Sequence, residues 1–279
     1  MDKKRTTSKY WFALTNIGLL LLSIVWAFPS IWVALTAFKP DPDIFSIPVK
    51  IFPTRVTVEH FIRLFTKWPF SRWLLNSLFL ASFVTVISLI VCTLAAFSFA
   101  RLSWRGRDAL FLIILASMLL PMEVTIIPLY FMTVQFKLFN TIYGAALPLI
   151  PLPIGVFLLR QFFLNIPRDL EDAARIDGCS SLGILWHIIL PNSLPVLSAY
   201  GIYIFNYAWN EFLWSLIVLR DPQKVTLPVG LRIIQGAFEL DYGLITAAAF
   251  IASLPSLLVF LILRQRLIRG ITLSSGIRG

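Results

Sequence analysis

Few residues in this 279-residue sequence have the neighbours needed to make or break covalent bonds. Its two histidines, His60 and His187, stand in no arrangement with a serine or cysteine that would activate a nucleophile. No Gly-Lys pair occurs, so no loop of this chain cradles nucleotide phosphates. Cys92 lies in an apolar run and Cys179 in a polar one, without metal or redox spacing, and both read as structural thiols. What the chain offers instead is recognition chemistry. Tyr203, Asn206, Tyr207, Asn210 and Trp214 share a stripe of about 100° on a helical wheel, with Glu211 at its edge. Rings interleaved with amides suit a polyhydroxylated ligand, because apolar sugar faces pack on aromatics while amides replace lost water contacts. The alternative is an interfacial aromatic belt with asparagines bonding between helices. Glu123, in "LLPMEVTIIP", is the other carboxylate in or near an apolar run and reads as a helix-end residue.

The elements that must position these groups are set by composition. Hydrophobic residues make up 58% and charged residues 14%, against about 25% charged in soluble domains. With a mean hydropathy of +0.83, this predicts an all-α polytopic membrane protein. Six stretches reach the roughly 20 apolar residues that cross the hydrocarbon core: about 11–38, 73–100, 109–131, 142–163, 192–219 and 244–263. Several contain proline, whose lost backbone hydrogen bond lipid cannot replace, so these kinks are expected against protein or a cavity. The opening "MDKKRTTSKY" reads as the flank of an uncleaved anchor. The net charge of +10 accompanies no nucleic-acid motif and reads as topology and contact with anionic lipid. With the N-terminus cytoplasmic, fourteen of the 24 lysines and arginines fall on that side, which favours this orientation, and an even number of spans places both termini there.

Between the fourth and fifth spans, residues 171–191 read "EDAARIDGCSSLGILWHIILP", too polar to cross a membrane. Asn165 is expected to cap a short helix over about 167–177, with Gly178 as its stop; Leu170, Ala173, Ala174 and Asp177 share a face. Ser180 or Ser181 starts a second helix bearing Leu182, Leu185, Trp186 and Ile189, which Pro191 ends. An amphipathic helix lying on lipid is the other reading of this pattern.

Asp172-Ala173-Ala174, three residues, Gly178, nine residues, Ile188, one residue and Leu190-Pro191 resembles the E-A-A-x3-G-x9-I-x-L-P loop of permease subunits of bacterial ATP-binding-cassette (ABC) importers. "LRQFFLNIP", "WNEFLWSL" and the tail "QRLIRGITLSSGIRG" are similar to the carbohydrate branch and, within it, to the second permease of maltose-type transporters. The resemblance implies the type I ABC importer permease fold, with 1–279 as one transmembrane domain, a coupling loop at 164–191 and a cytoplasmic tail at 264–279. It also implies that Glu171, Asp172, Ala173, Ala174, Asp177 and Gly178 dock on an ABC ATPase dimer, which holds the ATP and Mg, while this chain binds no cofactor or metal. Either Asp172 or Glu171 would make the ion pair to the ATPase. Further implied partners are a homologous permease subunit and an extracytoplasmic solute-binding protein, the latter meeting Gly236, Ala237, Phe238 and Glu239. The location implied is a bacterial or archaeal cytoplasmic (inner) membrane, and the cargo a sugar or related polar solute. An ion-gradient-driven secondary transporter is the rival; it needs intramembrane ionisable groups that this chain has in small number.

Overall fold

Long apolar runs with interspersed prolines dictate helices that are either continuous or sharply broken. The computed structural model describes residues 3–236 and 241–276, with side chains at Phe12 and from residue 14 to residue 265 within those ranges. In chain order the helices are α1 (Lys3–Ala37), α2 (Asp41–Ile44), α3 (Glu59–Lys67), α4 (Phe70–Arg101), α5 (Arg107–Ser117), α6 (Met122–Gln135), α7 (Ile142–Ala146) and α8 (Pro153–Leu164). They continue as α9 (Asp169–Ile176), α10 (Ser181–Ile184), α11 (Leu190–Asn192), α12 (Leu194–Trp209), α13 (Leu213–Val218), α14 (Leu227–Gln235) and α15 (Tyr242–Gly276).

Leu14–Ala37, Phe70–Arg101 and Tyr242–Gln265 are each long and apolar enough to cross a membrane as one helix. Three further candidate spans are bent pairs: α5 with α6 at 102°, Ile142–Leu149 with α8 at 43°, and Ser181–Asn192 with Leu194–Val218 at 81°. Counting each pair once gives up to six candidate spans by length and composition, the number expected. The breaks coincide with prolines: Pro121 is extended (φ −66°, ψ 144°) ahead of α6, and Leu152, which precedes Pro153, is forced to φ −74°, ψ 119°. Pro29 and Pro255 lie inside continuous helices.

The chain forms two compact units, one of residues up to Trp68 with Ile233–Ala252, the other of Pro69–Arg232 with the chain from Ser253. In the second, α4 packs along α8 and α12. Lipid is as apolar as leucine, so apolar contact alone favours association weakly, and close approach of small residues with interhelical hydrogen bonds contributes instead. Small residues are buried on all three helices: Ser77, Ala81, Ser88 and Ala96 of α4, Gly155 of α8 and Ser198 and Gly201 of α12. Ser88 Oγ donates to the Ile150 carbonyl (2.7 Å) and lies 2.6 Å from the Tyr200 hydroxyl. Gly155 has no space for a side chain, since a Cβ would lie 2.2 Å from the Tyr200 ring. Cys92 is buried beside Tyr200, and Cys179 is exposed; neither is in a disulfide.

In the first unit, Phe38, Phe61 and Phe250 cluster at ring separations of 5.0–6.3 Å. The loop after α1 is knotted by Asp43, whose carboxylate accepts from Lys50 Nζ (2.7 Å), from the Thr54 backbone N–H (2.8 Å) and from the Thr54 hydroxyl. These bonds hold the Asp43 carboxyl at a pKa of about 2.

Candidate functional site

The polar interruption builds two short helices around a left-handed glycine. Three acids in the first turn of α9, Asp169, Glu171 and Asp172, complement its positive N-terminus, and Arg175 sits in its last turn. Gly178 adopts φ +82°, a conformation costly for residues with a Cβ, and the Cys179 N–H returns to the Ala174 carbonyl at 2.8 Å. Ser180, rather than Ser181, caps α10 by accepting from Gly183 N–H at 3.2 Å. One expectation is corrected: Asn165 ends α8 instead of starting α9, its side-chain amide donating to the Gln161 carbonyl. The second helix passes through a π turn over Leu185–Ile189 and ends at Asn192, one residue beyond Pro191. Of the expected apolar face, Leu185 and Ile189 are buried while Leu182 and Trp186 are exposed. His187 is exposed and bonds the Gly183 carbonyl through Nδ1 (2.9 Å).

The neighbouring acids of α9 face opposite ways. The Glu171 side chain is 5% exposed and its Oε1 lies 2.7 Å from Arg101 Nε, whereas the Asp172 side chain is 65% exposed. Arg101 Nη2 also donates to the Phe163 and Ile166 carbonyls at 2.6 Å each. One guanidinium therefore joins the end of α4, the chain leaving α8, and α9. Ala173 and Asp177 are exposed, Ala174 is half-buried, and Ile176 is 87% exposed beside them, so the face presented outward is small and apolar with an acid at its rim. Arg101 was not singled out from sequence; its signal is a cation that closes a 32-residue helix with no other charge after Arg72.

The second candidate region is a cleft of about 330 Å³ between the start of α6 and the end of α12, with Met122, Glu123, Tyr207 and Asn210 in its wall. Tyr200, Tyr203 and Tyr207 form a ladder along α12, with ring centroids 6.4 and 6.2 Å apart and planes 23° and 18° from parallel. Asn206 and Asn210 donate to the Ile202 and Asn206 carbonyls one turn back (2.9 and 2.8 Å). The wheel is corrected beyond this point, because α12 stops at Trp209. Glu211 accepts from the Trp214 and Ser215 backbone N–H groups (2.6 and 2.9 Å) and from the Ser215 hydroxyl, capping α13. Trp214 is fully buried, its indole N–H donating to the Gly144 carbonyl at 3.0 Å. Glu211 and Trp214 thus serve the framework, while the exposed Glu123 has no ion-pair or hydrogen-bond partner among the described residues.

Of the expected outer segment, Gly236 is exposed, and Ala237, Phe238 and Glu239 lie outside the described residues. Asp241, just beyond, pairs with Arg63 Nη1 at 2.9 Å. Asp41, His60 and Asp241 bring ligand-type atoms within 4.8 Å of one another. Arg63 already supplies the positive charge there, with Nη2 3.1 Å from Asp41 and 2.6 Å from His60 Nδ1.

Residues 88–272, which include α9 and the cleft, match the family described as "Binding-protein-dependent transport system inner membrane component". The Arabinooligosaccharides transport system permease protein AraQ of Halalkalibacterium halodurans is 32% identical over 282 residues, covering 99% of this chain and 100% of that protein. The Trehalose/maltose transport system permease protein MalG of Thermococcus litoralis is 30% identical over 263 residues, 92% of this chain and 93% of that one. A crystal structure of a bacterial ABC transporter involved in the import of the acidic polysaccharide alginate contains a chain that superposes with a TM-score of 0.81 at 21% identity, covering 92% of this chain and 97% of that one. On the extent of these matches, the chain belongs to the family of binding-protein-dependent transport system inner membrane components.

Proposed function

We propose that this chain is one of two permeases in an ABC importer of the cytoplasmic membrane, passing a sugar or related polar solute inward while a separate ATPase dimer binds ATP and Mg and supplies the work. The observation that carries the reading is the division of labour on α9. Asp172, Ala173, Ala174 and Asp177 form the face that meets the ATPase, and Glu171 fastens the same helix to the membrane helices through Arg101. Asp172 is then the acid that pairs with a cation of the ATPase, because Glu171 is committed inside. Displacement of α9 on closure of the ATPase dimer reaches α4 and α8 directly.

The saccharide class is supported by the ladder of Tyr203 and Tyr207, by Asn206 and Asn210 beside it, and by the cargo in the names of the two relatives. An extracytoplasmic solute-binding protein would deliver the solute at Gly236–Glu239, and the basic residues favour both termini in the cytoplasm. Reconstitution in liposomes with the second permease, the ATPase and the binding protein tests the coupling assignment. Asp172→Lys is expected to insert and to associate with the second permease, yet to lose solute-stimulated ATP hydrolysis and uptake. Wild-type stimulation and uptake in this variant would remove Asp172 from the contact.

A further inference from the structure

We infer that the cleft between α6 and α12 sorts solutes by charge, admitting uncharged or amino-bearing saccharides and refusing anionic ones, with Glu123 as the specificity-determining residue. The inference rests on the reading above that α12 lines the pathway. Two carboxylates reach the cleft, and they are not equivalent. Glu211 is consumed by the first turn of α13, its oxygens accepting two backbone N–H groups and a hydroxyl. Glu123 is exposed in the first turn of α6, directly after the extended Pro121, and has no partner among the described residues. Among the described residues, no lysine, arginine or histidine lines the cleft.

The chemistry follows from that asymmetry. Glu123 sets a carboxylate in the wall of the cleft, at the start of α6, and so gives the cleft a negative charge. A carboxylate accepts hydrogen bonds from sugar hydroxyls, and such charge-assisted bonds are stronger than neutral ones. An ammonium on the solute adds attraction. A second carboxylate, sulfonate or phosphate in the cleft is repelled, with no cation among the described lining residues to offset it. At an effective dielectric of about 20 and a separation of about 6–12 Å, this amounts to roughly a tenfold to hundredfold loss of affinity. Tyr207 and Asn210 beside Glu123 supply the ring and amide that hold the sugar irrespective of its charge.

The test uses the complete permease–ATPase complex in nanodiscs without the binding protein, whose own selectivity would mask that of the cleft. The probes are maltose, an amino-sugar disaccharide and a uronic-acid disaccharide, with affinities measured by ligand-observed NMR at pH 7. Wild type is expected to bind the first two at least tenfold more tightly than the third. Glu123→Gln, nearly isosteric, should bring the three to within a few-fold, and Glu123→Lys should invert the order; size-exclusion chromatography checks that each variant assembles. An unchanged charge preference in Glu123→Gln, with Tyr207→Ala weakening all three sugars, would overturn the role of Glu123 and leave the pathway in place. Binding of every probe unaffected by Glu123→Gln, Tyr207→Ala and Asn210→Ala, or no binding at all, would reject the pathway reading itself. Equal wild-type affinity for the uronic and neutral sugars would sink the charge-sorting idea outright.

Discussion

Glu171 and Asp172 are adjacent in the chain and opposite in surroundings, and the difference is measurable. Removing one partner of a buried pair leaves an uncompensated charge, which typically costs about 3–5 kcal/mol. Glu171→Ala strands Arg101, so a loss of that order is expected in thermal or denaturant unfolding of the detergent-solubilised protein, read by intrinsic tryptophan fluorescence. Asp172→Ala, on the exposed side, should stay within about 0.5 kcal/mol of wild type in the same assay and show its effect in uptake. Equal losses for the two variants would contradict the burial difference. Sequence alone left the pair unresolved, because a one-residue step along a helix turns a side chain by about 100°. Which of the two turns inward depends on Arg101, seventy positions earlier in the chain.

The helices themselves were legible in proportion to their length. Apolar runs longer than about 20 residues specify α1, α4 and α15 whatever their neighbours, and proline positions foretold breaks within the other spans. The exact interruptions were not legible, because each is a local choice settled by distant atoms. α12 stops where Glu211 captures the N–H groups of α13, and that arrangement suits a Trp214 whose indole is already bonded to Gly144. Pro191 foretold the end of the second helix to within one residue, but the π turn over Leu185–Ile189 ahead of it is something residue type does not encode. The α8–α12 contact yields a further test. Gly155→Ala drives a methyl into the Tyr200 ring, which must shift at a cost of about 1–3 kcal/mol. A lowered melting temperature is expected, with part of the loss recovered when Tyr200→Leu is added. Wild-type stability for Gly155→Ala would show the contact to be looser than the structure has it.

For the molecule as a whole, composition sufficed to identify an all-α membrane protein, and the spacing from Asp172 to Pro191 identified the family. Neither could tell that Glu211, at the edge of the aromatic stripe, caps α13, whereas Glu123 stands in the first turn of α6 as its context implies. Orientation in the membrane is open to direct measurement. Single cysteines introduced at Ser275 and at Asp41, in a background with Cys92 and Cys179 replaced, should react differently with an impermeant maleimide in intact cells. Asp41 is expected to label and Ser275 to label only after permeabilisation; equal labelling of both would overturn the model with both ends inside.

The two hydrogen bonds and the ion pair of Arg101 also limit how α9 can move. A helix held by one contact can pivot, and a push on it dissipates as rotation. The guanidinium grips two carbonyls on the chain leaving α8 and one carboxylate of α9 at once, which makes the joint a bracket with little rotational freedom. Compliance is then concentrated downstream at Gly178, whose left-handed backbone is the first point after α9 unconstrained by a Cβ. A force arriving at Asp172 therefore meets a stiff path toward α4 and α8 and a soft one toward α10, so the same push translates the former pair before it reorients the latter.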